Sequence, residues 1–92
     1  MNRASITVTA VDDARWRVDV GGATTTSHEV TIPDGYLEKL GVAAFAPARV
    51  LEESFRFLLE REPNTSILRS FALPVIARYF PEYEEEMPGR LM

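Results

Sequence analysis

Apolar and polar residues alternate in three early stretches of the chain. Ile6, Val8 and Ala10 alternate with Ser5, Thr7 and Thr9; Trp16, Val18 and Val20 with Arg15, Arg17 and Asp19; Val30 and Ile32 with Glu29 and Thr31. A period of two gives each strand one apolar face, so residues 1–33 are expected to form a three-stranded antiparallel meander. Asp12-Asp13 and Gly21-Gly22 mark the turns. A two-residue loop at either place would set an apolar face beside a polar one, so odd-length connections are required. A three-residue loop over residues 21–23, with a glycine in the left-handed region, pairs Val18 with Thr26 and Trp16 with His28. In this reading the Trp16 face turns toward the helices.

Past Pro33-Asp34-Gly35 the period lengthens to that of a helix. Asp34 is expected to cap a short helix, Tyr36 to Leu40, that ends at Gly41. Pro47 suits the first position of a helix running to about Glu62. On that helix Val50, Leu51, Ser54, Phe55, Phe57, Leu58 and Leu59 span an arc of roughly 200°, which calls for neighbours on two sides. Pro63-Asn64 breaks it. Asn64 or Thr65 then caps a short segment through Phe71, Pro74 starts another helix, and Pro81 opens a final acidic turn or two. Pro88-Gly89 begins a frayed tail over residues 88–92. The expected architecture is therefore a single α+β domain over residues 1–92. A three-stranded antiparallel β-meander is followed, over residues 34–87, by about four short-to-medium α-helices packed on one face.

Composition narrows the function classes. The chain has 92 residues and 46% of them are hydrophobic, which suits one ordinary globular domain. Its apolar runs fall short of the roughly 18 residues of a membrane span. No basic segment followed by an apolar stretch marks it for export, so a cytoplasmic location is the default expectation. With no cysteine there are no disulfides and no thiolate metal sites. A net charge of -4 disfavours a broad phosphate-contacting surface.

The block ESFRFLLEREPNTSILRSFALPVIARYFPEY, with HEVTIPDGYLEKLG before it, resembles a small family of uncharacterised bacterial proteins over about residues 28–86. The resemblance implies a bacterial, cytoplasmic, single-domain protein and brings no activity with it.

Candidate chemistry is sparse. His28 is the residue to suspect first, but a lone histidine on the inward parity of its strand, beside Trp16, reads as a packed side chain. Ser27, His28 and Asp19 have the residue types of a hydrolytic triad. Adjacent strand residues point to opposite faces, so Ser27 and His28 cannot meet. Glu82, Glu84, Glu85 and Glu86 match no cation loop and read as a solvated helix face. The Thr24-Thr25-Thr26-Ser27 run reads as the start of strand three rather than as an edge offered to a partner. No cofactor or metal is expected, and the chain reads as non-enzymatic.

Two binding readings remain. In the first, Phe71, Leu73, Ile76, Tyr79, Phe80 and Tyr83, with Val75, carry more apolar surface than one small core can use, and a homodimer through the C-terminal helices covers it. The expected function is thus a self-associating protein-interaction module. The alternative is a DNA-binding regulator or antitoxin-like protein with a helix-turn-helix in residues 50–80, in which Arg69 and Arg78 contact nucleic acid, with Arg49 and Arg56 completing a basic surface. The apolar run VIARYF and the flanking glutamates argue against it.

Overall fold

The computed structural model describes residues 5–92. Residues 1–4 of the expected meander region lie outside the described residues. The alternating stretches become strands β1 (Ser5–Ala10), β2 (Arg15–Gly21) and β3 (Thr26–Thr31), paired antiparallel in chain order. Asp12 closes the first hairpin: its carboxylate accepts from the backbone N–H groups of Ala14 (3.0 Å) and Arg15 (2.9 Å) and from Arg15 Nε (2.7 Å). Those bonds hold the Asp12 carboxyl below its ordinary pKa, the Arg15 guanidinium contributing most.

The second hairpin corrects the expected register. Val18 lies opposite His28 and Trp16 opposite Val30, so the residues between Val20 and its partner Thr26 form a five-residue connection, 21–25. It is odd, as face matching demands, but longer by two, and neither Gly21 nor Gly22 has a positive φ. The cause lies far along the chain. Asn64 Nδ2 donates to the Thr24 carbonyl (2.7 Å) and to Thr26 Oγ1 (3.0 Å), supporting the longer loop from outside. Parity survives a shift of two, so Val18, Val20 and Val30 still share the buried face.

Helix α1 (Tyr36–Leu40) sits between two left-handed glycines, Gly35 at φ 79° and Gly41 at φ 84°. Gly35, not Asp34, occupies the capping position, and no side chain caps the helix. Helix α2 (Pro47–Leu59) begins on its proline as expected but stops short of Glu62, because Pro63 disfavours helical geometry in the residue before it. It is the centre of the molecule. Phe55 meets His28 and Phe71 on the sheet side, while Phe57 meets Phe80 and Tyr83 edge-on on the other.

Two further expectations are corrected. Residues 64–71 do not form a capped helical segment: a three-residue 3-10 turn, Asn64–Ser66, leads to strand β4 (Ser70–Ala72). This strand pairs parallel to β3, making a four-stranded mixed sheet of order β1-β2-β3-β4 instead of a three-stranded antiparallel one. Three residues are too few for alternation to announce a strand, and the pairing is created by a chain segment some forty positions away.

Helix α3 (Val75–Tyr79) follows Pro74, and α4 (Tyr83–Leu91) runs through the region expected to be a frayed tail. Pro88 inside α4 removes a helix hydrogen bond, but the burial of Met87 (0% exposed) and Leu91 (4%) offsets that loss. Arg90 adds contacts to Glu53 (3.1 Å) and Glu60 (2.7 Å) of the α2 region. On the far face of the sheet, Thr7, Arg15, Arg17 and Ser27 remain exposed.

Candidate interaction surface

The structure divides the six residues expected at an interface. Leu73 (0% exposed), Ile76 (3%) and Tyr83 (0%) lie inside the chain's own core, whereas Phe71 and Phe80 are half-buried and Tyr79 is 66% exposed. Tyr83 is held there by chemistry as well as packing. Ser54 Oγ donates to the Val50 carbonyl (2.7 Å), so the Tyr83 hydroxyl, 2.8 Å away, is the donor to Ser54. The apolar surplus inferred from the sequence was inflated because β4 and the last turns of α4 were missing from that reading, and both build walls for these side chains.

What stays uncovered is smaller and better defined. The end of α2, the segment after the 3-10 turn, β4 and α3 enclose a cleft of about 170 Å³. Leu58, Ile67, Phe71, Val75 and Phe80 supply its apolar walls, with Tyr79 and the 47% exposed Leu68 at its mouth. Among the described residues Glu62 is the one carboxylate that lines it. Burial raises the pKa of this glutamate, and among the described residues no cation lies within ion-pair distance of it.

Arg69 and Arg78 are likewise exposed and without an ion-pair partner among the described residues. The alternative reading places them in a helix-turn-helix. The 3-10 turn and β4 separate α2 from α3, so the short turn of a helix-turn-helix is not formed, and α3 has only five residues. Arg56 is engaged with Glu52 at 2.9 Å.

His28 lines a second, polar recess of about 320 Å³ with Thr24, Thr25, Asn64 and Arg69. It is nevertheless 2% exposed and both ring nitrogens are occupied. Nδ1 carries the proton it donates to the Leu68 carbonyl (2.7 Å), and Nε2 accepts from the Thr26 hydroxyl (2.8 Å), which itself accepts from Asn64. This relay ties β3 to the segment entering β4 and leaves the imidazole no lone pair or proton for a substrate. Ser27 points to the opposite face and bonds Asp19, so the triad is not assembled.

Glu84, Glu85 and Glu86 are exposed, as a solvated helix face requires, but the acidic run at the start of α4 also has partners within the fold. Glu82 (3.1 Å) and Glu86 (3.4 Å) pair with Arg61, whose guanidinium carbon lies 3.6 Å from the Phe57 ring centroid, and Glu84 accepts from the Tyr36 hydroxyl (2.8 Å). These carboxylates clamp α4 onto α2 and α1. Sequence reasoning had no partner to assign Glu82 and Glu84, since Arg61 and Tyr36 reach them across the fold. Among the described residues no helix is long and apolar enough to cross a membrane. No family model, curated protein or solved structure matches the chain, so it is the cleft around Tyr79 and Glu62 that carries the functional reading.

Proposed function

We propose that this chain is a small, non-enzymatic protein-interaction module that self-associates as a homodimer. One observation supports the reading most strongly: an open apolar cleft whose mouth displays Tyr79, 66% exposed, and Leu68, 47% exposed, on a domain whose other large apolar side chains are mostly enclosed. A small domain gains from covering such a patch, and a tyrosine at the rim supplies large contact area with little side-chain entropy to lose. Histidine chemistry does not compete with this reading, because His28 spends both nitrogens on the fold.

The test is sedimentation equilibrium over about 1 to 300 µM, a range suited to an interface below standard size. The expected result is a concentration-dependent rise from the 10.3 kDa monomer mass toward twice that value. A monomer mass at every concentration overturns the proposal.

A further inference from the structure

The cleft and the segment that fills it sit on the same face of this chain. We infer that in the two-fold pair each protomer lays its Tyr79 ring over its partner's cleft and sets its Arg78 guanidinium against the partner's Glu62. This inference rests on the self-association reading and names its surface.

Three features point to that arrangement. The cleft is apolar and, at about 170 Å³, admits one large side chain. Its single carboxylate, Glu62, is half-buried and unpaired among the described residues, so an incoming group that carries a cation beside an apolar side chain removes an electrostatic cost as it docks. This chain displays that combination itself. Among the described residues the exposed large apolar side chains are Val11, Leu68, Tyr79 and Met92, and Tyr79 adjoins an exposed arginine that has no ion-pair partner among them, on the helix that borders the cleft.

Symmetry completes the argument. In a two-fold interface the same patch meets itself, so donor and acceptor must lie on one patch; Tyr79 and Glu62 both line the cleft, and the exposed Arg78 adjoins Tyr79 on α3 at its border. Each ion pair then occurs twice, once on either side of the two-fold axis. The competing surface is the free edge of β1, whose residues Ser5 to Ala10 carry no charge to block strand pairing. β1 and β4 are opposite edges of the sheet, so the two surfaces are separable by experiment.

The test is a charge exchange measured by sedimentation equilibrium on the full chain. Arg78→Glu and Glu62→Arg should each raise the dimer dissociation constant by at least tenfold, because each places two like-charge pairs across the axis. The double variant should return to within about threefold of the parent. Far-UV circular dichroism and melting curves of the four proteins confirm that each is folded. If the singles dimerise like the parent, or the double is no better than the weaker single, the inference is overturned. A Thr7→Cys variant reports on the other surface, since the parent contains no cysteine. Rapid formation of a Thr7→Cys disulfide dimer, with the charge variants unaffected, would move self-association to the β1 edge and leave the functional proposal standing. A parent that is monomeric throughout overturns both.

Discussion

The buried hydroxyl pair between Ser54 and Tyr83 predicts a substitution whose effect changes sign with its background. Both residues are 0% exposed, so neither hydroxyl can turn to water when its partner is removed. Tyr83 donates to Ser54, and Ser54 donates onward to the Val50 carbonyl. Tyr83→Phe deletes a donor and strands nothing, because Ser54 keeps its own acceptor; the cost is that of one neutral hydrogen bond, about 1 kcal/mol. Ser54→Ala strands the Tyr83 hydroxyl in an apolar site at about 2 kcal/mol, partly offset by roughly 0.5 kcal/mol from the better helix propensity of alanine in α2. With both hydroxyls gone no polar atom is orphaned, and the double variant should lie within about 0.5 kcal/mol of the parent. Tyr83→Phe should therefore destabilise the parent by about 1 kcal/mol and stabilise the Ser54→Ala protein by about the same amount, a coupling of about 2 kcal/mol. Urea melts followed by circular dichroism and Trp16 fluorescence measure all four corners, at one protein concentration so that self-association cancels. Additive destabilisation, with Tyr83→Phe costly in both backgrounds, would refute the assigned direction of the hydrogen bond.

Three further outcomes follow from the same geometry. Trp16 is half-buried, so Trp16→Ala should cost about 2 kcal/mol in a denaturant melt, below the 3 to 5 kcal/mol of a fully enclosed ring. Deleting residues 90–92 removes buried Leu91 and the Arg90 contacts and should cost about 3 kcal/mol, seen as a clear fall in Tm; an unchanged Tm would mean that the end of α4 is not docked. Stability should fall at both ends of the pH scale. The Glu60 carboxyl is held below its ordinary 4.5 by hydrogen bonding to Arg90, and that of Glu82 by backbone hydrogen bonding and then by Arg61, so their contribution is present above 4.5 and lost as pH falls through the folded values. Burial, then hydrogen bonding to Glu84, pushes Tyr36 above its ordinary 10.0, so its contribution is full below 10 and lost as pH rises past it. Burial also raises the Tyr83 hydroxyl above 10.0, so Tyr36→Phe should lessen but not abolish the alkaline limb in melts between pH 9 and 11, and leave the acid limb in place.

What was legible in the chain was local. Alternation located three strands and their inward parity, the wide apolar arc identified α2 as a helix touched on two sides, and Pro47 and Pro74 marked helix starts because a fixed φ and a missing N–H suit that position. The rest depended on partners distant in sequence. Asn64 sets the β2–β3 loop, His28 meets Leu68, β4 exists because β3 pairs with it, and α4 continues past a proline because Leu91 is buried and Arg90 reaches Glu53. The candidate surface was half legible for the same reason. Tyr79 and Arg78 stand out by residue type, but Leu73, Ile76 and Tyr83 read as interface residues because the elements that bury them are not visible in the sequence, and Glu62 reads only as a helix end and a phosphate-repelling glutamate until its cleft is seen.

The parallel pairing of β4 with β3 bears on the order in which the molecule assembles. The β1–β2–β3 ladder closes through short loops and can form early at small entropic cost, whereas Glu29 to Thr31 cannot meet Ser70 to Ala72 until the intervening chain, with α1 and α2, has been placed. The fourth strand is thus a latch closed late in folding. Until it closes, the outer edge of β3 is bare and His28 lacks the Leu68 carbonyl, so a nascent or partly opened chain presents two uncapped sheet edges where the finished one presents a single long one. Substitutions in β4 should accordingly speed unfolding far more than they slow folding, and the partly opened species is the form from which strand-mediated aggregation would start.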